Sequence, residues 1–197
     1  GTGMFADWAT IGGLGLALLH GGSGRTPIAE LDSVRLLGTD SHIAHGVHAD
    51  AADRALLRER GTAVALCPRS NQRLDCGSAP VAAYRAEGNA VGIGTDSLSS
   101  SPSLDLLEEV LAVRGLALSQ GSDQSGLDRW LVEALTIGGA TALGRNDIGR
   151  LEVGGRADLT VIAVAGDDPY AAIVADGAGR CLATMVAGDL RHRAVLG

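Results

Sequence analysis

Residues 41–96 have the sequence SHIAHGVHADAADRALLRERGTAVALCPRSNQRLDCGSAPVAAYRAEGNAVGIGTD. In this stretch three short apolar segments alternate with two longer amphipathic segments, and a glycine ends each amphipathic segment. The apolar segments predict strands at residues 41–47, 62–66 and 90–93. Short apolar strands that alternate with helices are typical of parallel βα units, in which the strands are buried on both faces. The stretch therefore predicts an α/β fold, built either as a parallel barrel or as an open doubly wound sheet.

Helices are predicted between these strands and on both sides of them. They cover residues 50–60, 81–87, 103–118 and 127–143, and the last contains the pair Gly138-Gly139. Residues 67–80 are predicted to form a loop. Thr26 and Pro27 predict the start of another helix, which runs to about residue 36, because threonine is a favoured N-cap and proline a favoured first helical residue. A helix is also predicted in the glycine-rich residues 12–22, which lack the third glycine of a dinucleotide-binding loop.

The pattern changes near Arg150, after which turn-rich sequence leads to a strand predicted at residues 159–164. Residues 181–191 predict a hairpin that turns near Gly188. This second part is therefore expected to be a small antiparallel β appendage. The predicted domains are residues 1–150 and residues 151–197.

The composition excludes several classes of protein. The chain has 197 residues, 46% hydrophobic and 20% charged, which predicts a sizeable buried core and excludes wholesale disorder. The formal net charge of −7 argues against nucleic acid or an acidic membrane as partner, because both require a basic surface. All 16 basic residues are arginine, so catalytic lysines and carboxylated-lysine metal bridges are excluded within these residues. The three cysteines cannot all pair, and the apolar run at residues 11–19 is too short to cross a bilayer, so we expect a cytoplasmic protein with no membrane partner.

Polar side chains follow each of the three predicted strands. His45 ends the first strand, residues 67–71 (CPRSN) follow the second, and Asp96 follows the third. In parallel α/β folds the residues that carry chemistry lie at the carboxyl ends of the strands. A carboxylate can bind a divalent metal and accept a proton from water, and a neutral imidazole can orient the attacking hydroxide. If the strands are neighbours in one sheet, these residues predict a metal-assisted hydrolase.

Each candidate also has a purely structural interpretation. His45 could be a hydrogen-bonded core histidine, and Asp96 could cap the helix that follows it. Cys67 could serve only in packing. Glu108 and Glu109 are expected on the solvated face of their helix. None of these residues identifies a function by itself.

The ordered series AHGVH, CPRSN, GIGTDSLSSSPSLDLLEE and GGATALGRNDIGRLEVGGRADLTVIAV resembles the metal-dependent amidohydrolase superfamily. The resemblance is to the branch that contains cytosine, guanine and adenosine-type deaminases and triazine hydrolases. The opening GTGMFADW is similar to the stretch after the fifth barrel strand of that family. The resemblance implies an α/β fold that is the second half of a (β/α)8 TIM-type barrel, with strands six to eight, and a small C-terminal β-sandwich appendage.

The resemblance also implies roles for individual residues. Asp96 would bind the metal and take a proton from the attacking water, and His45 would hold the hydroxide and the developing tetrahedral centre. Arg69, Asn71 and Ser97 would bind the substrate. The cofactor is expected to be a divalent metal, zinc above all, with iron and manganese as alternatives.

The activity that the resemblance implies is hydrolytic removal of ammonia from an amino-heterocycle such as an adenine nucleoside. RSN and AAYRAEG are similar to aminodeoxyfutalosine deaminases in particular. A chlorohydrolase or cyclic amidohydrolase is the alternative within the superfamily, and an inactive half-barrel that serves in binding or assembly is the alternative outside it. The family's remaining metal ligands and its acid glutamate, on the first and fifth strands, do not occur in these 197 residues. The expected partners are therefore a small-molecule substrate and the N-terminal half of the same barrel, and a homo-oligomer is left open.

Overall fold

The structure is a computed structural model that describes residues 4–13 and 22–195. These residues form a parallel sheet flanked by helices, followed by an antiparallel sheet. The strands are β1 (His42–Ala44), β2 (Ala63–Leu66), β3 (Val91–Ile93), β4 (Leu159–Ile162), β5 (Cys181–Val186) and β6 (Asp189–Arg193). The helices are α1 (Met4–Ile11), α2 (Pro27–Ser33), α3 (Ala51–Arg60), α4 (Pro68–Arg73), α5 (Val81–Glu87), α6 (Leu106–Ser119), α7 (Leu127–Glu133), α8 (Gly139–Ala142) and α9 (Pro169–Asp176). A π-helical turn, Ala134–Gly138, joins α7 to α8.

β1, β2 and β3 lie side by side in this order and run parallel. Ala44 pairs with Ala65, and Leu66 pairs with Ile93. The predicted parallel βα units are therefore confirmed, although each strand is shorter than predicted. This register places the carboxyl ends of the three strands at one edge of the sheet.

Helix α3 begins and ends at the residues that its sequence favours. The Asp50 carboxylate accepts the N–H of Asp53 at 2.9 Å, in a reciprocal capping box. Gly61 ends the helix with φ +71°, a left-handed conformation that glycine adopts without steric cost. Arg54 then binds Glu87 of α5 at 2.8 Å, which ties the two helices together.

The structure corrects the sequence prediction at the edges of several elements. Residues 67–80 are not wholly loop, because Pro68 occupies the first turn of α4 and the N–H of Asn71 donates to the carbonyl of Cys67 at 3.0 Å. Helix α2 ends at Ser33 rather than near residue 36, and Arg35 has a φ of +60°, which no helix accommodates. The helix predicted in the glycine-rich segment falls mainly on residues 14–21, which lie outside the described residues.

The helix predicted at residues 127–143 is confirmed, with a π-helical turn inside it. This turn lies against β3. A Cβ atom at Gly138 would lie 2.0 Å from the carbonyl oxygen of Val91, so only glycine fits there. Gly92 of β3 lies on the other side of the same contact. A Cβ atom at Gly92 would lie 3.3 Å from the Cβ atom of Ala142. The glycines therefore allow the helix backbone to pack directly on the sheet.

The hydrophobic core lies between the parallel sheet and its flanking helices. Its fully buried side chains include Leu57, Val64, Leu66, Val81, Tyr84, Val110, Val113, Leu127 and Leu131. The hydroxyl of Tyr84 donates to the carbonyl of Gly46 at 2.8 Å. This bond satisfies the buried hydroxyl and fixes the turn that follows β1.

β4, β5 and β6 form an antiparallel sheet, and the predicted hairpin is confirmed with its turn at Ala187 and Gly188. Within residues 22–195 this sheet has a single layer, so the β-sandwich is not confirmed. α9, which the sequence analysis missed, begins after Asp168 and packs against α6 and α7. No helix in the described part of the chain is long and apolar enough to cross a membrane.

Candidate functional site

The residues that follow β1, β2 and β3 meet at one edge of the parallel sheet. The N–H of His45 donates to the carbonyl of Ala65 at 2.8 Å, and the N–H of Gly94 donates to the carbonyl of Leu66 at 2.9 Å. These bonds continue the strand pairing beyond the strand ends. The convergence that the sequence predicted for the three segments is therefore observed.

His45 and Asp96 both have left-handed backbone conformations, with φ values of +68° and +62°. Such a conformation costs a non-glycine residue on the order of 1–3 kcal/mol and persists only where the surrounding structure imposes it. Residues of this kind cluster at functional sites. Two of them, after β1 and after β3, distinguish this edge of the sheet.

The carboxylate of Asp96 is held by two serine hydroxyls. Its Oδ2 accepts a hydrogen bond from Ser70 Oγ at 2.7 Å and another from Ser100 Oγ at 2.8 Å. The hydrogen bond from Ser70, followed by that from Ser100, lowers the pKa of Asp96, and the electrostatic interaction with His45 acts in the same direction. Asp96 is exposed to solvent, and Asp105 caps the helix that follows. The helix-cap interpretation of Asp96 is therefore wrong, and an ionised, oriented carboxylate faces solvent at this edge.

The imidazole of His45 has a buried nitrogen without a partner. Its Nδ1 makes no hydrogen bond to any described residue. Buried polar atoms are nearly always paired, so an unpaired one calls for a functional or structural explanation. His45 lines a cavity of about 420 Å³, together with Asn71 and mostly aliphatic residues such as Leu31 and Leu74. This cavity gives the imidazole access to a ligand.

The predicted substrate-binding residues are not all at this cavity. Asn71 is buried and lines it, whereas Ser97 is exposed and its Oγ lies 2.6 Å from that of Ser99. The guanidinium of Arg69 binds Glu108 at 2.6 Å and Ser103 Oγ at 3.3 Å, at the start of α6. Substrate binding by these residues stays a prediction.

Three residues near the site have roles that the sequence did not predict. Ser70 and Ser100 hold Asp96, and their only sequence signal was membership of the CPRSN and GTDSLSS segments. Glu109 was expected on a solvated face, but its side chain is 0% exposed. Burial raises the pKa of Glu109. The backbone N–H and the charge of Arg69 partly offset this rise.

Cys67 lies beside this site, but its thiol is poorly ionised. The residue is buried, and burial raises the pKa of its thiol to about 11, with the charges of Asp96 and Glu109 acting in the same direction. The packing interpretation of Cys67 therefore agrees with its environment.

The described residues offer only part of a metal site. Among them no group of three or more histidine, cysteine, aspartate or glutamate side chains is arranged to hold an ion. Asp96 presents a carboxylate of the kind that binds zinc, and a catalytic zinc usually has three protein ligands. The carboxylate of Asp96 has the chemistry of one zinc ligand, and the described residues do not supply a full set.

Comparisons with known proteins agree with this geometry. The family model described as "Amidohydrolase family" matches residues 17–191. The 5-methylthioadenosine/S-adenosylhomocysteine deaminase of Haloarcula marismortui is 39% identical over 170 residues, which cover 86% of this chain and 39% of the relative. The 8-oxoguanine deaminase of Pseudomonas aeruginosa is 36% identical over 168 residues, or 82% of this chain and 37% of that protein.

Solved structures give the same result. An adenosine deaminase from Xanthomonas campestris with bound zinc has a TM-score of 0.80 and 30% identity, over 87% of this chain and 41% of that one. The zinc complex of an atrazine chlorohydrolase from Arthrobacter aurescens has a TM-score of 0.75 and 26% identity, over 87% and 40%. The chain thus spans about 40% of the length of the relatives it matches. The match over residues 17–191, together with the strand-end geometry, shows that the chain belongs to the amidohydrolase family.

Proposed function

We propose that this chain is part of a metal-dependent hydrolytic deaminase that removes ammonia from a ring carbon of an amino-heterocycle. The observation that carries the proposal is the pair formed by Asp96, held by two hydroxyls, and His45, whose buried Nδ1 has no partner among the described residues. His45 follows β1 and Asp96 follows β3, the two strands that flank β2 in the parallel sheet of an amidohydrolase. Relatives named as deaminases at 36–39% identity support this reaction class.

The proposed chemistry divides between the two side chains. A divalent metal, which is zinc in two solved relatives, would supply a Lewis acid that makes the attacking water more acidic. The carboxylate of Asp96, which its lowered pKa keeps ionised, would hold that metal and would accept a proton from the water. The imidazole of His45 holds the attacking hydroxide and stabilises the tetrahedral centre that forms as it adds to the ring carbon. Asn71, which lines the cavity beside His45, would bind the heterocycle.

The remaining parts of the site are proposed to come from the first half of the same barrel. On this proposal β1, β2 and β3 are strands six to eight of a (β/α)8 barrel, which ends near Arg150, and the antiparallel sheet is completed into a sandwich by other segments. The coverage of about 40% of each relative supports this arrangement. Within the described sheet, β1 and β3 each have one unpaired edge, and further barrel strands would cover these edges.

Ammonia release from a substrate panel tests the proposal directly. The full-length gene product, loaded with zinc, would be assayed with 5-methylthioadenosine, S-adenosylhomocysteine, adenosine, 8-oxoguanine and aminodeoxyfutalosine. We expect catalysed ammonia release from at least one of them. Chloride release from a chlorotriazine, without ammonia release, would instead assign the chlorohydrolase activity. A stable, zinc-loaded protein that turns over none of these compounds would contradict the deaminase proposal and favour a binding or assembly role.

A further inference from the structure

We propose that Glu109 is a positioning residue for Asp96, acting through two connecting loops, one that follows β2 and contains the short helix α4 and one that follows β3. Glu109 lies on α6 with a fully buried side chain and contacts both loops. Its Oε2 accepts the backbone N–H of Arg69 at 3.2 Å, and its Oε1 accepts the hydroxyl of Ser101 at 3.3 Å. The inference rests on the proposed function, because it concerns the carboxylate that binds the metal there.

The two loops carry the hydroxyls that hold Asp96. Ser70 follows Arg69 in the first loop, and Ser100 precedes Ser101 in the second. Their hydroxyl oxygens lie 3.0 Å apart and both contact Oδ2 of Asp96. A shift of either loop would therefore move one hydroxyl away from the carboxylate. Glu109 joins the two loops one residue away from each serine.

The burial of a carboxylate at this position requires an explanation. A buried carboxylate is costly to desolvate, and an apolar side chain of similar volume generally packs without that cost. Arg69 offsets part of the cost, with its guanidinium 3.5 Å from Oε1. The two loop contacts are interactions that an apolar side chain at this helix position could not make. A function in holding the loops together accounts for the carboxylate, whereas a function in packing does not.

Zinc affinity and kinetics of matched variants of the full-length protein test this proposal. Glu109→Gln replaces one acceptor oxygen by an amide donor, so one loop contact is lost. Ser70→Ala removes a hydroxyl from Asp96 directly. We expect each variant to bind zinc about 10–100-fold more weakly in competition with a chromophoric chelator, and to lower kcat more than it raises KM. The double variant should bind zinc no more weakly than the weaker-binding of the two single variants, because both changes act on the same interaction.

Asn89→Ala provides the control. Asn89 lies before β3, at the opposite end of the strand, and donates from its buried amide to the carbonyl of Arg54 at 2.8 Å. The Asn89→Ala substitution should lower the melting temperature while leaving the zinc affinity unchanged. If Glu109→Gln does not fold, Ser101→Ala removes the Oε1 contact, together with the bond of the same hydroxyl to the carbonyl of Ser103 at 3.0 Å, and is expected to weaken zinc binding in the same direction.

Unchanged zinc affinity in a folded Glu109→Gln protein, or strictly additive losses in the double variant, would overturn the positioning role. If the wild-type protein binds zinc but deaminates nothing, the proposed function fails, and the zinc affinities of the variants still decide the role of Glu109. If the wild type deaminates and Glu109→Gln matches it in both measurements, the proposed function stands and the positioning role fails.

Discussion

Asp96 and Asp158 both have lowered pKa values, but they lie in different regions and are held in different ways. Asp158 accepts the N–H of Ala187 at 2.6 Å and a hydrogen bond from Arg156 at 3.0 Å, and all three belong to the antiparallel part of the chain. Asp96 accepts hydroxyls from two loops that follow separate parallel strands. A lowered pKa therefore does not identify a catalytic carboxylate. The origin of its hydrogen-bond donors is the more informative feature.

The two regions also differ in how their strands are buried. Every residue of β3 is buried, whereas every residue of β6 is exposed. The strand end that carries Asp96 is thus held by a packed core, as a precisely oriented site requires, whereas two of the three residues of β1, which precedes His45, are exposed. The hairpin has fewer buried contacts, and regions of this kind open at lower free energy.

Replacement of the two carboxylates gives the largest expected difference between the regions. Asp96→Asn should keep the fold but lower kcat/KM by about 10²–10⁴-fold, because an amide is a poorer metal ligand and cannot accept a proton. Asp158→Asn is the matched control and should leave kcat/KM unchanged. Steady-state deamination by the two full-length variants checks the contrast. Equal activities would remove the distinction between the two carboxylates.

His45 should show a loss of the same kind but smaller size. His45→Gln removes an imidazole that acts mainly in the transition state, so kcat and kcat/KM should fall together by about 10²-fold while KM and zinc content change little. Kinetics and thermal unfolding can be measured on one preparation. If the variant is destabilised but fully active per folded molecule, His45 is a core histidine and has no catalytic role.

The core and the hairpin should also differ in how much a side-chain truncation lowers the free energy of unfolding. Leu131→Ala creates a cavity in the core and should lower the free energy of unfolding by about 2–5 kcal/mol. Leu190→Ala in the hairpin, where the side chain is 55% exposed, should change it by less than about 0.5 kcal/mol. Denaturant unfolding of both variants measures the difference. Similar losses would show that the hairpin is as tightly packed as the core.

Thiol reactivity should show the smallest difference. Cys67 is buried with a pKa of about 11, and Cys76 is exposed. Because the thiolate is the reactive species, Cys67 should react with a maleimide at least about tenfold more slowly than Cys76 at pH 8. Mass spectrometry of peptides from a labelling time course measures both rates. Equal rates would mean that the environment of Cys67 opens readily.

The parts of the fold with strong local signals could be predicted from the sequence. The alternation in residues 41–96 predicted the parallel strands, and Gly61 marked the end of α3. The capped start of α9 carries the same kind of signal, Asp168-Pro169, and was missed because the tail was interpreted as β structure throughout. For this element the N-cap signal was more informative than the β-like pattern of the surrounding residues.

The site could be predicted only in part, because its assembly depends on tertiary contacts. The positions of His45 and Asp96 after strands made them candidates, and the resemblance to the amidohydrolase superfamily selected them. The pairing of Ser70 with Asp96 joins residues 26 positions apart, and no local pattern indicates it. The burial of Glu109 likewise depends on which face of α6 packs against the loops, and its acidic neighbour Glu108 wrongly favoured a solvated face.

The central claim is that the carboxylate of Asp96 binds the catalytic metal, and anomalous diffraction at the zinc edge tests it most directly. Crystals of the full-length protein grown with zinc would be measured on both sides of the absorption edge. The account predicts an anomalous peak about 2.0–2.2 Å from a carboxylate oxygen of Asp96, with His45 facing the same space. A fully occupied zinc site that does not include Asp96 would contradict it.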